Sequence, residues 1–181
     1  MRFAFCLIAF ALPVEAASLC DTPDSEAVKA AIEGRWTLTE TLSLENETES
    51  MMRHPDPVPI TIRDGRIETP LIDSLIGRPV MLAMADAPYD VNAVDDILDA
   101  TDSAELADLV SDTPCGPEGL TQLTATLRQT EGVAAHGAMT LLPYFDDRML
   151  VITELTLRSD ETVLFLTGAG YLTPLDPAVP D

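Results

Sequence analysis

Gly34-Arg35-Trp36-Thr37-Leu38-Thr39-Glu40-Thr41-Leu42-Ser43-Leu44 decides the fold. Trp36, Leu38, Leu42 and Leu44 alternate with Arg35, Thr37, Thr39, Thr41 and Ser43, so the apolar residues recur with period two. Successive side chains of a strand point to opposite faces, and this stretch therefore predicts a half-buried strand. Just upstream, Thr22 as N-cap, Pro23 at the first helical position and Asp24 and Glu26 in the first turn predict a short helix that ends by Gly34.

Downstream, residues 45–59 are polar and then proline-punctuated, and read as a loop. Asp64-Gly65 sits between two alternating arms, 59–63 and 66–69, and marks a hairpin. Residues 69–77 predict one or two helical turns capped at both ends, and 79–85 a strand. Between 86 and 112 the composition turns acidic. Val94, Ile97 and Leu98 oppose Asp95, Asp96 and Asp99, and Asp102-Ser103-Ala104-Glu105 has the form of a capping box. This predicts a two-helix insertion over 91–112.

Residues 120–130, 133–142, 148–158 and 162–172 return to runs of Thr, Val, Leu and aromatic residues joined by short polar connections. Hairpin-length links make neighbours antiparallel. A meander of this size removes its exposed edges by closing on itself. The fold class is therefore mainly β: an antiparallel meander barrel of about eight strands with an N-terminal helix and the helical insertion. It occupies 17–173 as one domain, with 174–181 as a flexible, proline-containing tail.

The first residues, MRFAFCLIAFALPVEA, place the rest. Arg2, an apolar run too short to span a bilayer, Pro13 and small residues at Val14 and Ala16 make a secretory signal peptide over 1–16, removed after Ala16. Arg2 and Glu15 cancel, so the processed chain keeps the net charge of −21. A periplasmic or secreted location follows. Cys20 and Cys115 then remain as an even pair and predict a disulfide, worth about 4–5 kcal/mol on the chain-entropy argument. Leu19 stands where a lipoprotein needs a small residue, so no lipid anchor at Cys20 is expected. Strong acidity excludes nucleic acid and anionic membrane surfaces as partners and permits a basic protein partner.

Gly34-Arg35-Trp36, a Gly-x-Trp opening the first strand after a short helix, resembles the opening of the lipocalin superfamily, with similar openings in fatty-acid-binding proteins and avidins. The resemblance implies that Trp36 plugs the closed end of a barrel whose other end takes an apolar ligand. The chain departs from true lipocalins in lacking a Thr-Asp-Tyr motif and in ending on a proline tail.

Other chemistry is weighed against plainer readings. Asp90, Asn92, Asp95 and Asp96 lack the register and glycine of a calcium loop and read as a solvated face. Met51, Met52, His54, Met81, Met84 and Met139 read as core filling and loop, not as a copper site. His136, among small residues, reads as structural, and no serine elbow accompanies it. Glu40 and Glu154 could both face a barrel interior as paired acids, but aromatic platforms for sugar are scarce. Gly168-Ala169-Gly170 suits close backbone packing. Leu71, Ile72, Leu75 and Ile76 form either a lid over the barrel mouth or ordinary core. No catalytic residue, metal or cofactor is assigned. The expected function is binding of an apolar small molecule or lipid, lined by Trp36, Leu38, Leu42, Leu71, Leu75, Met139 and Phe165; a non-enzymatic assembly factor using the acidic insertion is the alternative.

Overall fold

The computed structural model describes residues 16–46, 48–85, 113–130, 132–159 and 162–175. The expected signal peptide, apart from its last residue Ala16, and the expected helical insertion at 91–112 lie outside these residues. The described strands are β1 (Gly34–Glu45), β2 (Ser50–Arg53), β3 (Val58–Arg63), β4 (Arg66–Glu68), β5 (Val80–Met84), β6 (Leu123–Gln129), β7 (Ala134–Phe145), β8 (Arg148–Arg158) and β9 (Val163–Pro174). Helices α1 (Ser25–Ala31) and α2 (Pro70–Ile76) and a single turn, α3 (Gly116–Gly119), complete the described elements.

Each strand pairs antiparallel with its neighbour in the order β1-β3-β4-β5-β6-β7-β8-β9, and β9 returns to pair with β1 along Trp36–Glu45. Eight strands thus close a barrel, and β2 is appended beside the far half of β1. The expected meander is the observed one. Its wall is uneven in height: β4 and β5 share only two residue pairs, whereas β8 and β9 share ten.

Local chemistry accounts for the connections. Asp64 and Gly65 both take positive φ, 52° and 65°, as a two-residue turn matched to strand twist requires. The Thr69 hydroxyl oxygen accepts from the Ile72 amide at 3.0 Å, Pro70 opens α2, and Gly77 closes it in a left-handed conformation. A side chain added at Gly170 would run into the backbone of Thr39 and Glu40, and one at Gly137 into that of Glu154 and Leu155. Glycine at these two places lets adjoining strands press together where the sheet coils to close.

Three expectations need correction. The cap of α1 is Asp24, not Thr22, because the carboxylate of Asp24 reaches the Glu26 and Ala27 amides while the Thr22 hydroxyl donates back to the Cys20 carbonyl. The polar loop contains a strand, β2: Asn46 Oδ1 accepts from the Thr48 and Glu49 amides at 2.9 Å and turns the chain back on β1. The tail begins later than 174, since Pro174 still pairs with Trp36 and the Leu175 amide donates to the Arg35 carbonyl at 2.9 Å.

The barrel interior holds the main core, from Val28 and Ile32 of α1 through Trp36, Ile60, Ile62 and Leu82 to Leu141 and Leu172. A second apolar cluster lies on the outer face of β7 and β8: Leu142, Tyr144, Leu150 and Ile152, with Leu120 and the half-buried Cys115 and Tyr171. Strands buried on both faces lose their alternation, which is why Leu141-Leu142 and Leu150-Val151-Ile152 read as unbroken apolar runs. The disulfide Cys20–Cys115 joins residues 95 apart beside this cluster. Next to it, the Leu19 amide donates to the Tyr144 carbonyl at 3.0 Å and Ser18 bridges to Phe145.

Candidate functional site

Cross-strand pairing orders the inward side chains into rows. Leu38, Leu172 and Met149 form one row; Glu40, Gly170, Val151, Leu141 and Leu123 the next. Leu42, Gly168, Thr153, Met139 and Ala125 follow, then Leu44, Leu166, Leu155, Gly137 and Leu127. Glu40 is the one charged residue in these rows. No aligned cation accompanies it, and burial alone pushes its carboxyl up to about 7.

Beside it lies a second polar group. Thr153 is 0 % exposed, and its hydroxyl oxygen has no hydrogen-bond partner. Glu40 Oε2 and Thr153 Cβ lie 3.2 and 3.5 Å from the position that a Cβ on Gly168 would take. Glu40 and Thr153 therefore flank a residue with no side chain of its own, and Leu42 Cδ2, 2.6 Å from the same position, fills the space. A buried polar group without a partner costs stability, of order 1–3 kcal/mol, and such exceptions concentrate where a protein meets a ligand or water.

The two ends of the barrel differ. Around Trp36 the interior is sealed: Trp36 is 3 % exposed, Leu38 2 %, and the indole Nε1 donates to the Ile32 carbonyl at the end of α1 at 2.9 Å. Toward the far end of β1, inward-facing Glu40, Leu42 and Leu44, together with Leu157 and Leu164, remain partly exposed. Solvent reaches the rim on this side, while Leu127, Leu155 and Leu166 in the row of Leu44 stay buried.

The expected lining residues divide between these regions. Trp36, Leu38 and Met139 are buried in the packed core, and Leu42, Leu71 and Leu75 are half-buried against it. Helix α2 buries Ile72 completely and packs toward β3 and β6. Phe165 is the exception and is corrected: it pairs with Thr156 on the outer face and is 48 % exposed, because its neighbour Leu166 occupies the inward position. Glu154 also points outward, next to inward Leu155, so it shares no site with Glu40. Burial raises the Glu154 carboxyl. It lines an open groove of about 540 Å³ with exposed His136, Thr126 and Phe165.

Met139 faces inward while Met51, Met52 and Met81 are exposed, so these methionines gather no common site. Thr153 was not singled out by sequence reading. Its signal was phase: it occupies the apolar register of Met149, Val151, Leu155 and Leu157, as Glu40 does among Trp36, Leu38, Leu42 and Leu44.

Comparison with family models, with curated proteins and with solved structures gives no match.

Proposed function

We propose that the protein is an exported carrier that takes an apolar small molecule or lipid into the partly open end of its barrel, in the manner of the lipocalin-like barrels its Gly34-Arg35-Trp36 opening resembles. The observation that carries the reading is the gradient along β1, from Trp36 and Leu38, sealed inside, to Glu40, Leu42 and Leu44, inward-facing yet reached by solvent. Such a mouth can admit an apolar body while α1 and Trp36 close the base.

Export fits the pattern of the wall. Arg35, Thr37, Thr39, Thr41 and Ser43 face outward on β1 and Thr124, Thr126 and Arg128 on β6, and the outward apolar residues of β7 and β8 are buried in the second cluster with Leu120 and Cys115. A membrane-spanning barrel has the reverse arrangement. Among the described residues no helix is long and apolar enough to cross a membrane. Removal of the leader after Ala16 would leave the Ala17 nitrogen, which donates to Asp146 Oδ1 at 2.9 Å, as an ammonium group facing a carboxylate.

Nile red, a neutral apolar dye, tests the carrier. Saturable, blue-shifted emission is expected, weakened at least tenfold by Leu42→Arg at the mouth and unchanged by Phe165→Ser on the outer groove. Binding abolished by Phe165→Ser and untouched by Leu42→Arg would move the site outside the barrel and overturn the reading.

A further inference from the structure

We propose that the molecule carried in this barrel bears a basic amine, seated on the inner wall where the Glu40 carboxylate and the Thr153 hydroxyl flank Gly168. The inference rests on the carrier reading and names the head group that its interior selects.

The wall around this point is apolar: Val151 and Leu141 lie along the Glu40 row, Met139 along the Thr153 row, and Leu155 and Leu166 in the row beyond. Into it the fold places the Glu40 carboxyl and the unpartnered, fully buried Thr153 hydroxyl: Glu40 Oε2 and Thr153 Cβ lie 3.2 and 3.5 Å from the position a Cβ on Gly168 would take, and Leu42 Cδ2, 2.6 Å from it, holds that place. An ammonium group has three N–H donors and no acceptor. The carboxylate and the hydroxyl oxygen both accept, so one amine that displaces the half-buried Leu42 side chain satisfies both groups at once. Charge-assisted bonds of this kind are the strong ones, and a paired charge offsets the desolvation that an isolated buried carboxylate suffers.

A carboxylate head fits poorly. The rows across β1, β9, β8, β7 and β6 contain no Lys or Arg, and the chain carries a net charge of −21. A fatty acid would set its anion against Glu40 with no cation between them. Arg53 of β2 shares the inner face across from Leu42, but it stands exposed at the rim.

Protonation follows from the same surroundings. From β8 and β9 only Thr153, glycines and apolar residues face Glu40, and the neighbouring inward positions of β1 are Leu38 and Leu42. Arg53 is the one charged group on that face from β2, and Glu45 lies opposite outward Phe165. Burial therefore governs Glu40, and with its carboxyl held at about 7 the empty site is partly protonated at neutrality. An amine binds the ionised form, so its affinity should fall as pH drops below 7.

The test is displacement of Nile red by three probes sharing one alkyl chain: dodecylamine, dodecanoic acid and dodecan-1-ol, each below its micellar concentration. At pH 8 dodecylamine should displace the dye at tenfold or more lower concentration than either other probe, with the preference shrinking at pH 5.5. Glu40→Gln should keep dye binding and lose the amine preference; Thr153→Val should weaken it several-fold. Acid or alcohol displacing the dye as well as the amine, or an amine preference that survives Glu40→Gln, overturns the proposal. The second outcome would mean attraction to the acidic surface, which that variant leaves almost unchanged. Carbon-13 NMR titration of the Glu40 carboxyl gives an independent reading, since dodecylamine should lower its midpoint. If Nile red fails to bind while the midpoint still falls, the amine site stands and the carrier reading fails; if the midpoint does not move, the amine site fails whatever the dye does.

Discussion

Within one strand, β1, the interior of this barrel changes from a plug to a mouth. At the near end Trp36 and Leu38 are sealed under α1, and the Trp36 indole is tied to the Ile32 carbonyl. At the far end Leu42 and Leu44 face the same interior but stay partly exposed, with Glu40 at the boundary. The alternation of side chains is the same in both halves; what differs is what covers them. On the proposed carrier reading, stability and binding fall to opposite ends, and each can be perturbed with limited effect on the other.

Trp36→Ala should have the largest effect. It removes a fully packed indole and its bond to α1, and a loss of about 3–5 kcal/mol is expected in urea unfolding. A cost below about 1 kcal/mol would show that the base of the barrel is not its stable end.

Glu40→Gln comes next and acts through pH. Burial lifts the folded-state carboxyl from 4.5 to about 7, so between these values the folded chain binds more protons than the unfolded one. The stabilising contribution of this group is complete below about pH 4.5 and is lost as pH rises through 7, a decline of up to about 2–3 kcal/mol. Glutamine should flatten that decline and leave the variant more stable than the parent at pH 8, measured by thermal or urea unfolding across pH. Glu154, also raised by burial, contributes in the same direction and should leave a residual slope. An unchanged slope would mean that Glu40 is fully hydrated and that the boundary between plug and mouth is misplaced.

Phe165→Ser should do least. Its ring is half-exposed on the outer wall, and a stability change within about 0.5 kcal/mol is expected. A larger loss would mean that the outer groove is part of the packed structure, and the contrast would then run between inside and outside instead of between the two ends.

Much of the wall was legible because period two is a local property. Residues 148–158 predicted β8 with its observed bounds, and Asp64-Gly65 predicted its hairpin, since a two-residue turn needs residues that tolerate positive φ. Ser50-Met51-Met52-Arg53 was not legible as β2: all four residues are exposed, so no burial pattern marks them, and the strand exists through the Asn46 turn and its partner on β1. Phe165 looked like a lining residue because it is large and apolar. Its register against Thr156 and Glu45 turns it outward. A shift of one residue exchanges the two faces of a strand, and composition cannot detect it.

The candidate site shows the same division. Glu40 lies in the apolar phase of its strand, so its inward direction could be read from order along the chain. That Thr153 comes to the same glycine, more than a hundred residues later, could not.

By itself, the order of residues determined the eight strands of the wall, their antiparallel succession and the Cys20–Cys115 pair, because alternation, turn chemistry and an even cysteine count act over short stretches or by simple arithmetic. The register of the closing seam between β1 and β9, the pairing that sends Phe165 out and sets Thr153 beside Gly168, and the contrast between a sealed base and a partly exposed rim were decided only by tertiary structure. They depend on which distant backbones hydrogen-bond, and that choice is made by the packing of the whole interior at once.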